Sequence, residues 1–423
     1  MINGEQCTIC WHVDDLKMSH VDGQVLEEIV MKLDEKYGTK DAPVTVHRGK
    51  VHDYLGMTID FTTDGKVKFT MDDYIENFLE ETPDEMGGTA ATPALGNLFD
   101  VHDTAEKLDS EKADMFHHMT AKLLYLSKRV RVDIQTAVAF LTTRVKQPDV
   151  SDWKKLTRCV RYLRGCKDLP LTLESDGSGI IRWWIDASFA VHWDKKSHTG
   201  ITMSMGKGSP ISSSTRQKLN TKSSTEAELV GVDDGMALIT WTRNFLQDQG
   251  IEIKDNVVYQ DNQSAILLER NGRASSGRRT RHIDIRYFFV SDRVKRGELR
   301  IEYCPTEEMF ADFFTKPLQG SLFRKMRAVL MNLPDDTPLS VTTPRPQECV
   351  GNVIRPSWAD VVRGTDGRLM GGSQPPDMTK ANGLNMTSAK IASTWQKTND
   401  VSPNRGKKRI QENVDSSHSC LRI

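Results

Sequence analysis

Aspartates next to apolar segments are the positions of this sequence whose type and spacing could support chemistry. Asp186 ends the apolar segment 180–185, and Asp261 follows the apolar segment 256–260. An acid at the carboxyl end of a strand is where α/β folds place their site residues. Taken singly, each of these two aspartates also fits a helix N-cap or a turn. Asp312 lies between large apolar residues, where a carboxylate needs a partner charge, and a metal ion is one candidate.

Two glutamates, Glu226 and Glu228, lie on the first turns of a helix predicted over residues 224–249. Residues two apart on a helix point about 200° away from each other, so both carboxylates cannot face one site directly. One of them must face the sheet while the other faces solvent or caps the helix. The spacing alone leaves open which glutamate does which.

The elements that must position these acids run from about residue 179 to residue 332. Apolar and alternating runs predict strands, and a period of 3.6 residues predicts helices. The predicted strands are 180–187, 199–205, 210–214, 256–260 and 299–304, and the predicted helices are 224–249, 262–271, 283–295, 306–314 and 322–330. Three strands followed by alternating helices and strands predict an α/β layer with a mixed sheet.

The rest of the chain is organised differently. Residues 5–80 alternate short strands with turns, and residues 82–104 have the Pro, Gly, Thr and Ala content of a linker. Residues 333–423 lack a sustained apolar period and are predicted to be disordered. The predicted upstream elements are a strand over 7–13, a turn at Asp14 and Asp15, a helix over 25–37, a hairpin of 51–61 with 66–71, and amphipathic helices over 109–144 and 152–164.

Length and composition limit the class of protein. A chain of 423 residues predicts two or three domains. No apolar run approaches the roughly 18 residues that a bilayer-spanning helix needs, and the first residues lack the features of a signal peptide. Seven scattered cysteines favour a reducing compartment over a disulfide framework. We therefore expect a protein that is neither secreted nor embedded in a membrane.

A formal net charge of −1 gives no global argument for nucleic-acid binding, but two local patches do. Residues 273–300 carry nine basic residues against three acidic ones, and residues 144–167 carry eight against two, so each has a net charge of +6. Each patch fits a footprint for a phosphate backbone, and each alone also fits a solvated helix face. Because the two patches flank the carboxylate positions, we favour the footprint.

Short motifs in a fixed order resemble one known family. Four of them are similar to the ribonuclease H domain of copia-type (Pseudoviridae) LTR retrotransposon polyproteins, namely STEAEL (224–229), YQDNQSA (259–265), RRTRHIDIRYFF (278–289) and ADFFTKPL (311–318). Upstream, HVDDL (12–16) resembles the Asp-Asp turn of the reverse transcriptase palm, and DYLGM, LLYL and VRYLRG resemble segments that follow it. The ordered set carries the resemblance, since any one motif is weak.

This resemblance implies a fold class and a set of domains. The implied fold is α/β, a ribonuclease H-like domain with a mixed five-stranded sheet and flanking helices. A partial reverse transcriptase palm, thumb and connection of the α+β class would precede it. The implied domains are a partial palm (1–81), a linker with helical thumb and connection (82–178), a ribonuclease H domain (179–332) and a disordered tail (333–423).

The resemblance also implies a metal site. Carried over by position, its metal-binding and catalytic carboxylates are Asp186, Glu228, Asp261 and Asp312. The family's helix acid is followed directly by an apolar run, which selects Glu228 and leaves Glu226 as an acid at the helix N-terminus. Two divalent ions are implied, Mg²⁺ with Mn²⁺ as its substitute, because hard cations prefer carboxylate oxygens.

The implied reaction is endonucleolytic hydrolysis of the RNA strand of RNA–DNA hybrids during reverse transcription. The implied partners are element RNA and cDNA, together with the remaining polyprotein products, in a cytoplasmic virus-like particle or in the nucleus. The basic motif supplies the predicted nucleic-acid contacts, which are Arg278, Arg279, Arg281, His282 and Arg286.

Asp14 and Asp15 would be relics of the polymerase site. The chain begins thirteen residues before Asp14, whereas the family carries a third polymerase carboxylate on an earlier palm strand. We therefore expect no DNA polymerisation by this chain alone. The alternative to an active nuclease is a catalytically silent element remnant that binds nucleic acid through its basic patches.

Overall fold

A computed structural model of the protein describes residues 1–39, 43–272, 284–334 and 421–422. The side chains of residues 284–287 and 421–422 lie outside that description. Most of the predicted disordered tail, residues 333–423, also lies outside it. Within the described ranges, no helix combines the length and the apolar character needed to cross a bilayer.

From residue 179 to residue 332, the strands and helices follow the order that the sequence predicted, with one short strand, Gly206–Lys207, in addition. The strands are β1 (Thr8–His12), β2 (Asp15–Ser19), β3 (Thr45–Val46), β4 (Val51–Tyr54), β5 (Met57–Asp60), β6 (Lys66–Thr70), β7 (Leu171–Ser175), β8 (Ile180–Ser188), β9 (His198–Ser204), β10 (Gly206–Lys207), β11 (Ile211–Arg216), β12 (Asp255–Gln260), β13 (Arg300–Tyr303) and β14 (Leu421–Arg422). The helices are α1 (Gly23–Tyr37), α2 (Asp72–Glu80), α3 (Ser110–Ser127), α4 (Gln135–Thr142), α5 (Val150–Arg164), α6 (Ser224–Asp248), α7 (Gln263–Asn271), α8 (Asp284–Lys295), α9 (Asp312–Thr315) and α10 (Gly320–Met331).

A mixed five-stranded sheet in the order β11-β9-β8-β12-β13 forms the centre of the region from residue 179 onward. The strands β8, β9 and β11 pair antiparallel in succession, and β12 runs parallel to both β8 and β13. Its interior contains Trp183, Ile185 and Val258, which pack against Val232 and Met236 of α6. This is the mixed α/β layer that the sequence predicted.

Two further sheets contain the strands of the upstream half. One has the order β1-β2-β14-β3, and the other has the order β10-β7-β6-β5-β4. The second sheet joins strands from the predicted palm, the predicted connection and the ribonuclease H region, so it crosses the predicted boundaries at residues 82 and 179.

The single strand predicted over residues 51–61 is wrong. Leu55 and Gly56 have φ values of 53° and 70°, and they turn the chain so that β4 and β5 pair antiparallel. A two-residue turn of this kind needs positive φ at both central positions, which glycine adopts freely and leucine rarely does. Because leucine rarely adopts positive φ, no sequence signal marked a turn at Leu55.

The single helix predicted over residues 109–144 is also wrong, because the chain reverses between α3 and α4. The carbonyl of Leu126 accepts hydrogen bonds from the backbone N–H groups of Arg129, Val130 and Arg131. The buried Arg131 guanidinium then donates to the Asp133 carboxylate at 2.7 and 2.9 Å. The reversal lets α3 and α4 pack against each other.

Residues 82–104, whose composition predicted a linker, contribute buried side chains to the structure. Met86 and Leu98 are fully buried in the core shared by α3, α4 and α5, and Phe99 is largely buried there. The Arg161 guanidinium donates to the carbonyl of Gly87 at 2.7 Å. The segment is therefore part of the core of the predicted connection.

Candidate metal centre

Two aspartates lie at the same edge of the central sheet because β8 and β12 are parallel. Asp186 lies near the end of β8, where it pairs with Gly200 of β9. Asp261 directly follows the last residue of β12, and Trp184 of β8 pairs with Tyr259. Parallel strands bring their carboxyl ends to one edge, so the pairing places the two carboxylates side by side. Neither aspartate caps a helix, since Asn262 is the N-cap of α7.

The third carboxylate comes from the helix that covers this sheet. The hydroxyl of Ser223 caps α6 by accepting from the N–H of Glu226. Gly235 lets α6 approach closely, because a Cβ there would meet Ile185 and Ile201 side chains at 3.2 Å. Glu228 is consequently 95% buried against the sheet.

Asp186, Glu228 and Asp261 bring three oxygen ligands together. One carboxylate oxygen from each of them lies within 4.8 Å of the other two. Among the residues that the structure describes, this is the sole group of three or more potential ligands that meets this spacing. Glu226 points elsewhere, because its carboxylate accepts from the backbone N–H of Lys222 at 2.8 Å.

Asp312 lies beside this group on a short helix. The helix predicted over residues 306–314 is wrong, because a 3-10 turn (Thr306–Glu308) precedes α9, which begins at Asp312. The Asp312 carboxylate accepts from Lys316 Nζ at 2.7 Å, and the same Nζ lies 3.8 Å from Asp186 Oδ2. The Thr315 hydroxyl donates to Asp186 Oδ2. Asp312 is thus linked to the cluster through Lys316 and Thr315.

Burial and repulsion by neighbouring charges disfavour ionisation of Glu228, Asp261 and Asp312. Burial raises the pKa of Glu228 well above its usual value, and the charges of Asp186 and Asp261 raise it further. Burial, followed by the charge of Asp186, also raises the pKa of Asp261. The same two causes raise the pKa of Asp312 to about 7, against the opposing effect of Lys316. A positive charge placed among these groups would lower their pKa values and so oppose both effects.

The donor set fits a hard divalent cation. Its potential ligands are all carboxylate oxygens, which Mg²⁺ and Mn²⁺ prefer over sulfur or imidazole. Glu228 Oε2 is buried without a hydrogen-bond partner, which leaves one strong acceptor of the cluster unsatisfied. A buried carboxylate oxygen in that state is costly unless a cation or a proton reaches it.

Contacts from outside the cluster fix α9. A Cβ at Gly200 would meet the Ala311 carbonyl at 2.6 Å, so only glycine lets β9 and α9 approach this closely. The Thr136 hydroxyl of α4 donates to the carbonyl of Phe313 at 2.7 Å. The Ser214 hydroxyl of β11 donates to the carbonyl of Phe314 at 2.7 Å. These contacts hold the backbone that carries Asp312 and Thr315.

A buried histidine supports one of these contacts. His198 Nε2 lies 2.8 Å from Ser214 Oγ, and His198 Nδ1 lies 2.9 Å from His192 Nε2. Since Ser214 donates its proton to Phe314, His198 Nε2 must donate to Ser214, and His192 must then donate to His198. Burial lowers the pKa of His198 to about 3, so the ring stays neutral and the donor order is fixed.

Sequence reasoning missed Thr315 and Lys316 as neighbours of the acids, although both lie in the ADFFTKPL motif. The available signal was the spacing of Asp312 and Lys316, four residues apart with opposite charge. Pro317 adds a second signal, because a residue before proline favours extended backbone. Lys316 has φ −126° and ψ 136°.

The sequence predicted five residues that contact nucleic acid. Four of them lie outside the described residues, and these are Arg278, Arg279, Arg281 and His282. Arg286 belongs to α8, and its side chain lies outside the description.

Most basic side chains of the patch at residues 144–167 already have hydrogen-bond partners within the chain. Six of its eight basic residues make hydrogen bonds within the chain, and these are Arg144, Lys155, Arg158, Arg161, Arg164 and Lys167. Arg144, for example, donates to the buried Asp152 carboxylate at 2.9 Å. Much of this charge therefore holds the connection together.

The Asp-Asp motif lies where the sequence predicted it, at the turn between β1 and β2. Val13 has a φ of 53° and starts the turn. Asp14 is exposed and Asp15, the first residue of β2, is half-buried.

The sheet order, the covering helix α6 and the acids at the sheet edge together define a ribonuclease H-like α/β fold, as predicted. Retrotransposon Pol polyproteins are the relatives to which the chain is similar. It is 29% identical over 318 residues to the retrovirus-related Pol polyprotein from transposon TNT 1-94 of Nicotiana tabacum, covering 74% of this chain and 23% of that protein. It is 28% identical over 317 residues to the polyprotein from transposon RE2 of Arabidopsis thaliana, covering 74% of this chain and 21% of that protein.

A shorter yeast relative, a putative transposon Ty5-1 protein of Saccharomyces cerevisiae, is 23% identical over 52% of this chain and 70% of its own length. The chain thus spans about a fifth of the plant polyproteins that it matches. These relatives confirm the resemblance to copia-type polyproteins. No family model matches the chain.

Solved structures give weaker similarities. The foamy viral protease-reverse transcriptase in complex with RNA/DNA hybrid aligns with a TM-score of 0.37 and 12% identity, over 82% of this chain and 38% of that one. A ribonuclease H1 isolated from compost aligns with a TM-score of 0.25 and 12% identity, over 32% of this chain and 91% of that one.

Proposed function

We propose that residues 179–332 form a divalent-metal-dependent nuclease that hydrolyses the RNA strand of RNA–DNA hybrids. The observation that carries the proposal is the convergence of Asp186, Glu228 and Asp261, with one oxygen from each within 4.8 Å of the others. These three residues would hold the ions together with Asp312. Bound Mg²⁺ would activate water and stabilise the charge that develops at the cleaved phosphodiester.

The chain's own residues prepare this site. Thr315 orients the Asp186 carboxylate by donating to Oδ2, and the buried face of α6 fixes the carboxylate of Glu228. Thr306 Oγ1 lies 3.4 Å from Asp261 Oδ2 and donates to it. Lys316 contributes the positive charge nearest to Asp312. Preorganised ligands of this kind strengthen metal binding, because they need not be reordered when the ion arrives.

The relatives support the proposal of a hybrid substrate. They are Pol polyproteins of retrotransposons, so element RNA and its cDNA are the proposed nucleic acids, and other polyprotein products are the proposed protein partners. Selectivity for a hybrid would rest on contacts with 2′-hydroxyl groups on one strand and with the DNA backbone on the other.

The test is cleavage of an end-labelled RNA–DNA hybrid with Mg²⁺ by the unaltered chain and by Asp261→Asn. We expect cleavage of the RNA strand by the unaltered chain, no cleavage of a matched DNA duplex, and loss of cleavage in the variant. Asp168→Asn, an exposed acid outside the site, is the matched control and should cleave normally. Absence of cleavage by the unaltered chain would leave the silent nucleic-acid-binding remnant. Equal cleavage by the unaltered chain and Asp261→Asn would assign the activity to another site.

A further inference from the structure

A groove of about 310 Å³, lined by both apolar and polar side chains, lies between the predicted connection and the edge of the central sheet. One wall comes from α3 and α4, and the other comes from residues 214–216 of β11. Its volume is at the lower end of the range for ligand sites. Its lining residues include Ser127, Lys128, Gln135, Thr142, Thr143 and Thr215.

The groove is rich in hydrogen-bond acceptors. The hydroxyl groups of Ser127, Thr142 and Thr143 donate to carbonyls of their own helices at 3.0, 2.8 and 2.6 Å. Each hydroxyl has a single proton, so what these three oxygens still offer to a ligand is lone pairs. A ligand with hydrogen-bond donors can use these lone pairs without breaking the hydrogen bonds within the helices.

Gln135 adds an unsatisfied acceptor at the floor of the groove. Its side chain is 97% buried, and its Nε2 donates to the Ser127 carbonyl at 2.9 Å and to Ser212 Oγ at 2.7 Å. Its Oε1 is buried without a hydrogen-bond partner. A ligand donor at this floor would satisfy an acceptor that is costly to leave unpaired.

Lys128 supplies positive charge at the rim. It is the C-cap residue of α3, it lies at the surface with its ammonium group partly desolvated, which lowers the pKa of Lys128, and it forms no ion pair within the described part of the chain. Arg216 lies on the opposite wall and pairs with Asp194 at 3.0 Å. The groove therefore combines a cationic rim with an acceptor-rich interior.

One hydrogen bond connects the groove to the segment that carries Asp312. Ser214, which lines the groove, donates to the carbonyl of Phe314, two residues after Asp312. A change at the groove can therefore reach the backbone that carries Asp312 and Thr315.

We propose that this groove binds the RNA strand of the hybrid, with a phosphate at Lys128 and a ribose 2′-hydroxyl donating to the acceptors of the interior. A DNA strand offers the phosphate but lacks the 2′-hydroxyl donor, so the groove discriminates between the two. The inference rests on the proposed hybrid substrate, and it adds a site formed jointly by the connection and the sheet.

The test measures binding rather than cleavage, in the full chain carrying Asp261→Asn. A labelled RNA–DNA hybrid and a DNA duplex of the same sequence are titrated at several salt concentrations. Lys128→Gln should weaken binding of both duplexes and reduce the slope of log affinity against log salt by about 0.9, the value for one lost phosphate contact. Thr143→Val should weaken hybrid binding about threefold to tenfold and leave binding of the DNA duplex unchanged.

Matched controls come from α5 and the residues after it. Lys167→Gln removes a lysine that pairs with Glu76, and Thr157→Val removes a hydroxyl that donates to its own helix. Neither should alter the slope or the preference. An unchanged slope in Lys128→Gln, or equal weakening of both duplexes in Thr143→Val, overturns the proposal. If the unaltered chain cleaves no hybrid but Lys128→Gln and Thr143→Val still change binding as expected, the proposed nuclease activity is wrong and the proposed RNA-binding groove stands.

Discussion

Two sets of carboxylates in this molecule differ in how they are brought together. Asp14 and Asp15 are neighbours in sequence at a turn of one hairpin, and Asp14 is exposed. Asp186, Glu228 and Asp261 are far apart in sequence, yet a parallel strand pair and a covering helix bring their oxygens within 4.8 Å. Within the described chain, the two acids that are adjacent in sequence lie at a surface turn. The three acids that are distant in sequence form the candidate metal centre.

The two sets of carboxylates also differ in their expected effect on the stability of the fold. An exposed carboxylate keeps its hydration, whereas a buried one loses hydration and repels its neighbours. Glu228 is buried with one oxygen unpaired, so its ionised form lowers the stability of the fold unless a cation or a proton reaches that oxygen. Stability given up at a preorganised site is a common feature of functional sites.

The largest expected effect comes from replacing one of the two glutamates of α6 by glutamine. Glu228→Gln should lower the rate of hybrid cleavage about a thousandfold, because several kcal/mol of metal-dependent stabilisation is lost. Glu226→Gln should change the rate by less than about fivefold, since Glu226 only accepts from the backbone at the helix start. Single-turnover rates with Mg²⁺ measure both. The reverse order would mean that the assignment of the metal ligand is wrong.

A steric change tests how firmly the short helix is held. Gly200→Ala should destabilise the chain by about 1–3 kcal/mol and reduce cleavage, because the new methyl group would push α9 away from β9. Gly231→Ala is the matched control, since its Cβ would meet only ordinary contacts at 3.4 Å and beyond. Urea unfolding measures both variants. Equal stabilities would show that α9 does not depend on this close approach.

A smaller effect is expected from the residue that orients Asp186. Thr315→Val removes the hydroxyl donor and should weaken Mg²⁺ binding about tenfold, which is typical when the partner of a metal ligand is lost. Thr157→Val, in α5, should leave Mg²⁺ binding unchanged. Isothermal titration calorimetry without nucleic acid gives the affinities. Unaltered affinity in Thr315→Val would remove Thr315 from the site.

Melting temperature against pH tests the electrostatic strain. Asp312 has its pKa raised from 3.8 to about 7, so the folded chain holds this proton more tightly than the unfolded chain does. The resulting stabilisation is present below pH 4 and is lost as the pH rises through 7. Without metal, Asp312→Asn should therefore melt about 2–4 °C above the unaltered chain at pH 8 and show a smaller difference at pH 5. A larger gain at pH 5 would contradict the raised pKa.

The smallest expected effect is at the exposed turn. Asp14→Asn should leave hybrid cleavage and Mg²⁺ affinity unchanged, because Asp14 is exposed and belongs to a different sheet. The same cleavage and calorimetry assays apply. A loss of cleavage above about fivefold would show that the two carboxylate sets act together.

Local sequence signals were enough to predict the strands and the helix on which the acids lie. Ser223 marks the start of α6, apolar runs mark β8 and β12, and parallel strands bring their ends to one edge. Nonlocal packing decided what the sequence could not show. The burial of Met86 and Phe99 depends on distant helices, although the surrounding composition is that of a loop. The position of Lys316 beside Asp312 was, by contrast, open to prediction, because Lys316 follows Asp312 by four residues and precedes Pro317.

The hydrogen bond from Thr136 to the Phe313 carbonyl has a consequence for modularity. A gene segment that encoded residues 179–332 alone would carry every acid of the site and leave this donor behind. The proposed nuclease region therefore depends in part on the preceding helices, because one of the donors that hold α9 lies in α4. An exchange of domains between elements would preserve the site best when its breakpoint falls upstream of α4.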